Sequence, residues 1–445
     1  MKTMQGTSWS RRDVLRQIFL SAGTLAAGST LLAGCGGTPQ IGPAGGGRGR
    51  FDGISPLRDA NDLGIRLPDG FETRIVAIAN QAPVDGGNYL WHIFPDGGGV
   101  VPKADGGWYY CSNSEVPGFG TIGFQFPALA PISDPLEAFS PGLGGASVLE
   151  FAPDGTVVDA YSILSNTTFN CAGCATPWGS WLSCEEFPSG QVWECDPSGR
   201  NPARPLPTLG FFSHEATAID VPRRAIYMTE DLPDGRFYRW LADPGDWPSG
   251  ASRPLLQNGR LQVLQVMGDG LPGTLVGPQP VQWIDALAVD EPQDRNRIAE
   301  SAAFDGGEGV WNFNGMVYFT SKGDDRVWLY NSDSETLEVV YDLATATNNI
   351  LSGVDNITCT DRGDVLVAED GGDMQVVIIS PQGELRPLLQ IEGQDQSEIA
   401  GISFTPDGRR MYFTSDRGGP LPGGGYGPGF GIVYELLIPP EFAWS

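Results

Sequence analysis

Histidine is almost absent from this chain, which has only His92 and His214 among its 445 residues. A three-histidine zinc site is therefore excluded, and a Ser-His-Asp triad would need one of these two imidazoles as its base. Basic residues are also scarce, because 27 Lys and Arg face 54 Asp and Glu. Such an acidic surface repels nucleic acid and anionic lipid, so we expect neither as a partner. Any chemistry must rest on carboxylates and cysteine.

Amphipathic helical patterns are scarce as well, and short β runs around turn signals take their place. The segments 147–158 and 402–415 each place Pro-Asp-Gly between two apolar runs. This pattern predicts a hairpin, because Pro presets φ and Gly accepts the left-handed conformation. With 62 Gly and 36 Pro in the chain, the sequence favours an all-β fold.

A second pattern recurs, in which an apolar strand ends in small polar or acidic residues. Three of the five spacings between these strand ends are close to the period of about 40–50 residues of a propeller blade. The two longer spacings indicate loop insertions. We therefore predict a six-bladed β-propeller with loop insertions, and an irregular β-sandwich is the alternative. The six strand ends are Cys111, Cys184, Glu230, Ser321, Glu369 and Ser415.

The amino terminus predicts export by the twin-arginine route. Arg11-Arg12 precedes an apolar run, and Leu32-Ala33-Gly34-Cys35 forms a lipoprotein box. We expect a signal peptide over 1–34, a lipidated Cys35 with a flexible linker over 35–53, and a propeller domain over 54–445. A transmembrane anchor is the alternative, but the apolar run is short and rich in Gly, Ala and Ser. The predicted location is the outer side of the cytoplasmic membrane, the periplasm or the outer membrane, with membrane contact only through the lipid.

The segment 170–186, NCAGCATPWGSWLSCEE, is the strongest candidate for a functional site. A strand-like run ends in Cys184, Glu185 and Glu186, which places a thiol beside two carboxylates. Soft and hard ligands select different ions, so their combination favours a metal centre other than a plain calcium site. Strand alternation puts Cys184 and Glu186 on one face, so Glu185 is the weaker candidate. The pair Cys171-x-x-Cys174 fits a redox pair, a metal corner or a disulfide, and spacing alone does not decide among them.

These residues resemble the PhoX-type alkaline phosphatase family, exported bacterial phosphatases with a six-bladed propeller and a calcium–iron centre. The segment 170–186 is similar to the family's NCAGG-TPWGTWLTCEE signature, and shorter blocks follow in the same order along the mature chain. The other matching blocks are Asn113 to Glu115, Ser213 to Glu215, Tyr227 to Asp231, Glu308-Gly309, Asp355-Asn356, Glu369-Asp370 and Ser397 to Gly401.

The resemblance implies a role for each matched position. Cys184, Glu230 and Glu308 would hold Fe³⁺, and Asp355, Glu369 and Glu398 would supply oxygen ligands to Ca²⁺. Clustered metal charge would bind a phosphate and polarise it. The residues expected around these ligands, as further ligands or as their supports, are Asn113, Glu115, Glu185, His214, Glu215 and Asp231. No catalytic residue is singled out.

The chain also departs from the family pattern, chiefly in its arginines. Gly306 stands where the family has a phosphate-binding arginine two positions before Glu308, and 209–212 lacks the family's basic residue. No spacing argument selects a replacement from Arg236, Arg239, Arg326 and Arg417. The sequence thus favours a monomeric phosphoester hydrolase with a small phosphoester substrate. A calcium-binding propeller that binds a ligand or partner without catalysis is the alternative, and a lactonase-type propeller is a weaker one.

Overall fold

The protein is almost entirely β-structure, in a computed structural model that describes residues 47–116, 142–268, 275, 277–419 and 431–444. These residues form 26 strands, two short 3₁₀ helices at Pro207–Leu209 and Gln293–Arg295, and no α-helix. The prediction of an all-β fold is confirmed. None of the described residues forms a helix of the length and apolarity that crossing a membrane would require.

Eight of the first ten strands form two antiparallel sheets, and the other two pair with strands from the end of the chain. The early strands are β1 (Ile65–Arg66) and β2 (Glu72–Ile78). One sheet contains β3 (Pro95–Pro102), β4 (Trp108–Ser114), β5 (Gly144–Phe151) and β6 (Val157–Thr167) in chain order. The next contains β7 (Asn170–Ala175), β8 (Trp181–Glu185), β9 (Val192–Cys195) and β10 (Arg204–Pro205).

A nine-stranded sheet follows, and it consists of two four-stranded meanders with one strand between them. The first meander is β11 (His214–Asp220), β12 (Ala225–Glu230), β13 (Phe237–Ala242) and β14 (Gly259–Val266). The second is β16 (Gly307–Phe313), β17 (Met316–Ser321), β18 (Arg326–Asn331) and β19 (Thr336–Asp342). Strand β15 (Gln279–Asp285) pairs with β14 over five residues, Val281 to Asp285, but with β19 at only two.

The last strands form two sheets, and the amino-terminal strands complete both. Strands β20 (Val354–Cys359), β21 (Val365–Glu369), β22 (Gln375–Ile379) and β23 (Leu385–Ile391) take β1 at their edge. Strands β24 (Ile399–Phe404), β25 (Arg410–Ser415) and β26 (Ile432–Leu437) take β2. The beginning and the end of the described chain are thereby joined in one sheet.

The first strand of each meander faces the middle of this arrangement, and we call β3, β7, β11, β16, β20 and β24 the inner strands. They contact one another in this order, and β24 contacts β3, which closes the circle. The small sheets therefore stand around a common centre in a propeller-like arrangement. In each of these sheets the second strand, β4, β8, β12, β17, β21 or β25, pairs directly with the inner strand.

Each inner strand is interrupted by a β-bulge close to its beginning. The pairing of β3 with β4 shifts register between Pro95 and Gly98, and β7, β11, β16 and β20 show the same shift after their first residue. The shift in β24 falls one residue later, between Ala400 and Ser403. A bulge bends its strand and changes the direction of the side chains next to it. The same local distortion is thus repeated around the centre.

The core lies between neighbouring sheets, which explains why many strands are apolar on both faces. In β21, Leu366 and Ala368 pack towards β25 and β26, while Val365 and Val367 pack in a cluster with Val327 of β18. A strand with a neighbour on each face reads as a continuous apolar run rather than an alternation.

The amino-terminal part of the described chain is packed on the body of the protein. Phe51 is 2% exposed and contacts the rings of Phe71, Phe404 and Phe442. Arg50 donates to both carboxylate oxygens of Asp361. The predicted linker over 35–53 thus ends in residues that belong to the folded domain. The predicted signal peptide and Cys35 lie outside the described residues.

Candidate metal centre

The second residue of five inner strands carries a carboxylate or a thiol, at the point where the bulge begins. Because the bulge falls at the same place in these five strands, their side chains leave the strands at equivalent positions. The five residues are Asp96, Cys171, Glu215, Glu308 and Asp355, and Ala400 occupies the sixth position.

A second set of functional residues comes directly after the end of each second strand. The backbone N–H of each one donates to a carbonyl just before the inner strand, over 2.8 to 3.2 Å. This repeated bond fixes the two sets beside each other. The six residues are Glu115, Glu186, Asp231, Lys322, Asp370 and Asp416.

The two sets, together with Glu398, bring nine carboxylates and one thiol into five overlapping groups of three. Within each group the potential ligand atoms lie within 4.8 Å of one another. We call these ten residues the central cluster, and all except Asp370 are buried. Its members are Asp96, Glu115, Cys171, Glu186, Glu215, Glu308, Asp355, Asp370, Glu398 and Asp416.

The thiol of Cys171 lies at one side of the central cluster. Its sulfur is 3.2 Å from Oδ2 of Asp96 and 2.9 Å from Oε1 of Glu215. The amide of Asn113 donates to the carbonyls of Cys171 and Ala172, over 3.0 and 2.8 Å. Asn113 therefore holds the bulge of β7 that directs the thiol towards the carboxylates.

Electrostatics within the cluster disfavour the simultaneous ionisation of its acids. Burial, and after it the charge of neighbouring carboxylates, raises the pKa of Asp96, Glu215 and Glu308 well above the usual value. Burial followed by the charge of Asp96 likewise raises the pKa of the Cys171 thiol. Charged ligands at this spacing need cations among them to exist in ionised form.

Two buried carboxylate oxygens in the cluster have no hydrogen-bond partner among the described residues, Oδ1 of Asp96 and Oε2 of Glu215. A buried charged oxygen without a partner is costly, and a bound cation would remove that cost. A donor set of many carboxylates and one thiol fits Ca²⁺ at the oxygen-only positions and a transition metal beside the sulfur. The residues present thus fit metal ions.

Two basic side chains reach the central cluster. Nζ of Lys322 lies 2.6 Å from Glu308, 3.1 Å from Asp355 and 3.4 Å from Asp370. The guanidinium of Arg417 lies 2.5 Å from Asp416, 3.0 Å from Glu398 and 3.4 Å from Asp370. Both are mostly buried, and their two positive charges do not balance nine carboxylates.

The structure brings together many of the residues that the sequence predicts for the site. Four expected ligands and two expected neighbours belong to the central cluster, while Asp231 lies close enough to raise the pKa of Glu215 and Glu308. The four ligands are Glu186, Glu308, Asp355 and Glu398, and the two neighbours are Glu115 and Glu215.

Cys184 lies outside the cluster, in a hydrophobic group with Cys174, Leu182 and Val192. The sequence favoured Cys184 because two glutamates follow it, but strand β8 ends at Glu185. Glu186 follows the strand, with its N–H bonded to the carbonyl of Phe169, so alternation along β8 does not fix it on the side of Cys184. Cys171 takes the position among the carboxylates instead. Both Cys171 and Cys174 have free thiols, and of the three interpretations of this pair the metal corner fits Cys171 alone.

Three predicted acids brace the backbone instead of joining the cluster. Glu185, Glu230 and Glu369 are each the last residue of a second strand, and each accepts from the backbone N–H six residues later. Glu230 also pairs with Arg297 at 2.6 Å. Strand alternation explains this, since the last strand residue and the one after it point in different directions.

His214 is a packed residue in this structure. Its ring stacks on Phe212, and Nε2 lies 3.2 Å from the carbonyl oxygen of Gly210. Complete burial lowers the pKa of His214 to about 3, so the imidazole is neutral. It therefore stabilises the entry to β11, next to Glu215.

Sequence reasoning missed Asp96, Asp416 and Lys322, while it left the role of Cys171 open and named Asp370 only within a matching block. Lys322, Asp370 and Asp416 directly follow the strand ends Ser321, Glu369 and Ser415. The residue after each of these strand ends is therefore the better candidate. Asp96 gave no such signal, since its position depends on the bulge in β3.

Comparison with known proteins adds a family and a structural neighbour. The family model for alkaline phosphatase PhoX matches residues 187–326 and 320–419, which span more than half of the chain. The structure of Pseudomonas fluorescens PhoX in complex with vanadate, a transition state analogue, is similar with a TM-score of 0.66 and 16% identity, over 88% of this chain and 98% of that one. No curated protein matches the sequence.

A gluconolactonase from Xanthomonas campestris is more distant, with a TM-score of 0.40 and 14% identity over 88% of this chain and 98% of that one. The residues matched by the family model include Lys322, Asp355, Asp370 and Glu398 of the site. The chain belongs to the alkaline phosphatase PhoX family.

Proposed function

We propose that this protein is an exported, metal-dependent phosphoester hydrolase that uses a calcium–iron centre. The observation that carries the proposal is the central cluster, a buried set of nine carboxylates and one thiol in which Asp96 and Glu215 have oxygens without hydrogen-bond partners. A set of acids that the chain does not neutralise requires cations, and several cations together attract a phosphate. Membership of the phosphatase family supports the same conclusion.

The residues divide by donor chemistry into two parts. Cys171 with Asp96, Glu186 and Glu215 would hold iron, because a thiolate favours a transition metal. Calcium would bind among the oxygen-only groups. When bound, such ions would supply positive charge for a phosphoryl group. The oxygen-only groups contain Glu115, Glu308, Asp355, Asp370, Glu398 and Asp416, together with Glu215, which they share with the iron position.

We propose Arg417 as the residue that binds the substrate phosphate. Of the four arginines that the sequence left open, it is the one whose guanidinium contacts the central cluster in the described chain. Arg239 packs over Trp283, and Arg326 pairs with Asp324 and Asp342. Cations on Glu398 and Asp416 would compete for the oxygens that Arg417 now contacts, which leaves guanidinium donors for a phosphate.

The proposal includes a six-bladed propeller as its framework. It treats the nine-stranded sheet as two blades, because β15 joins β19 through only two residue pairs. The closed circle of six inner strands and the bulge repeated in each of them support this count. Each blade then contributes one inner strand to the same centre.

We also propose export by the twin-arginine route, lipid attachment through Cys35, and a monomer on the outer side of a membrane. This part rests on the sequence motifs at residues 11–12 and 32–35. Export of a folded chain agrees with a buried cluster whose ions would be bound during folding. The substrate is a small phosphoester.

The test is hydrolysis of a chromogenic phosphomonoester by the full-length protein, loaded with calcium and iron, beside Arg417→Ala and Arg326→Ala. The two arginines are matched, since both are mostly buried and pair with carboxylates. A hydrogen bond to a charged group contributes about 1.5–3 kcal/mol, so Arg417→Ala should lower kcat/KM by about 10- to 100-fold. Arg326→Ala should retain it. Wild-type protein that binds calcium but hydrolyses nothing would instead establish a non-catalytic binding propeller.

A further inference from the structure

Lys322 interrupts a charge pattern that the other five second strands share. The residue directly after the second strand is acidic in every other case, at Glu115, Glu186, Asp231, Asp370 and Asp416. The backbone N–H of Lys322 makes the same bond as its counterparts, 2.8 Å to the carbonyl of Gly306. The lysine side chain therefore starts from a position that otherwise supplies a carboxylate to the centre.

The ammonium group of Lys322 is surrounded by acids of the central cluster. Nζ lies within 3.4 Å of Glu308, Asp355 and Asp370, and the side chain is 17% exposed. An ammonium group has three donors, so these three carboxylates match its capacity. They connect two of the ligand groups, because Asp355 belongs both to the group with Glu215 and to the group with Glu398.

A second observation indicates that this part of the cluster is suited to an ion. Glu215 shares a ligand group with Glu308 and Asp355, and its Oε2 is buried without a hydrogen-bond partner among the described residues. Lys322 thus supplies one positive charge to acids that could otherwise bind a doubly charged ion. A divalent cation placed among the same oxygens would lie close to Nζ and be repelled by it.

We propose that Lys322 is a built-in cation which occupies the place of a divalent ion among Glu308, Asp355 and Asp370. The protein then binds one divalent ion fewer than the carboxylates of its central cluster would accept. This inference rests on the metal-binding part of the proposed function and does not depend on hydrolysis. It also identifies Lys322 as a determinant of metal stoichiometry.

The experiment measures calcium binding by isothermal titration calorimetry and total metal by elemental analysis, for the wild type, Lys322→Met and Lys103→Met. The control is closely matched, since the sequence has only three lysines and Lys103 also pairs with two carboxylates, Glu150 at 2.6 Å and Asp105 at 3.1 Å. Side-chain exposure is 14% for Lys103 and 17% for Lys322.

We expect Lys322→Met to bind one more calcium ion per chain than the wild type, or to bind its weakest calcium on the order of tenfold more tightly, because one repelling charge is removed. Lys322→Asp, which restores the residue type of the other five positions, should show a larger effect. Lys103→Met should match the wild type. Calcium number and affinity that stay unchanged or fall in Lys322→Met would overturn the proposal.

Lys322→Met leaves three acids without their cation, so the metal-free variant is at risk of failing to fold. A comparison of the single variant Asp370→Asn with the double variant Lys322→Met/Asp370→Asn avoids this problem, because the double variant loses one acid together with the lysine. The double variant should still bind calcium more tightly than Asp370→Asn alone, and equal affinities would refute the proposal. A wild type that binds calcium but hydrolyses no phosphoester would contradict the proposed activity and leave this inference standing.

Discussion

Two buried regions of the molecule treat their carboxylates in opposite ways. Glu435 of β26 is fully buried, but it accepts from Nε of Arg74 at 2.5 Å, from Nη1 of Arg410 at 2.9 Å and from the hydroxyl of Tyr412 at 2.8 Å. Asp96 and Glu215 in the central cluster are buried as deeply and have oxygens without any such partner among the described residues.

The difference shows which buried acid indicates a ligand. Burial alone does not, because Glu435 is balanced by the basic residues of its own chain. The central cluster contains nine carboxylates, and among the described residues two basic side chains contact it, Lys322 and Arg417. These two charges leave most of the carboxylates unbalanced, and bound cations would supply the missing positive charge.

The largest expected effect is that of metal removal. An ion that binds only the folded state stabilises it by about 2.7 kcal/mol when its concentration is 100 times its Kd, and the central cluster offers more than one such position. Chelation should therefore lower Tm by several degrees or more, measured by circular dichroism. Identical melting curves with chelator and with calcium would remove the distinction between the two regions.

Glu435→Gln should produce the next largest effect, and it should be independent of metal. Removing one partner of a buried ion pair costs about 3–5 kcal/mol. We expect about 3 kcal/mol here, because the Arg74 side chain is 45% exposed and remains partly solvated. The loss in free energy of unfolding should be equal in chelator and in calcium, as judged by denaturant titration. A loss that depends on calcium would place Glu435 with the metal ligands.

Glu215→Gln should change stability in opposite directions in the two conditions. Without metal, the amide removes an acid whose ionised form is disfavoured by burial and, after that, by the charge of Asp355, so we expect a gain of about 1–2 kcal/mol. With calcium and iron, the same substitution removes a ligand and should reduce the stabilisation by metal. Denaturant titrations under both conditions measure the two values. A loss of stability in both would show that Glu215 is a purely structural residue.

A smaller effect is expected from pH in the metal-free protein. Asp96, Glu215 and Glu308 have raised pKa values in the folded state, so over the range above their ordinary pKa the folded protein binds more protons than the unfolded one. The free energy of unfolding changes with pH in proportion to the protons bound by the unfolded state minus those bound by the folded state. Because this difference is negative here, stability should fall as pH rises from about 5 to 8. Metal should reverse the trend. Melting temperatures across this range, with and without chelator, are the measurement.

Much of the fold could be predicted from the sequence, because hairpin turns and apolar runs are local signals. The runs at 147–158 and 402–415 became β5 to β6 and β24 to β25. The closure of the sheets by β1 and β2 could not be predicted, since these strands pair with partners more than 300 residues away. The ion pair between Arg50 and Asp361 could not be predicted either, because its two residues are also far apart in the sequence.

The site was predictable to the level of strand ends but not of single residues. Glu186 was found because it follows a strand end rich in acid, whereas Glu308 was expected only from the family resemblance. Cys184 was preferred to Cys171 because the sequence shows which residues are adjacent, whereas the bulge in β7 decides which thiol meets the carboxylates. Such a bulge depends on the neighbouring strand and on contacts such as those of Asn113.

The most direct test of the metal centre is the iron content of three purified proteins, the wild type, Cys171→Ala and Cys184→Ala, measured by elemental analysis. Both cysteines are buried and lie in neighbouring strands, so the two variants remove the same group from similar depths. The structure predicts that Cys171→Ala loses iron while Cys184→Ala retains it. Iron that is lost from Cys184→Ala and retained by Cys171→Ala, or is absent from the wild type, would contradict a thiol–carboxylate centre built on Cys171.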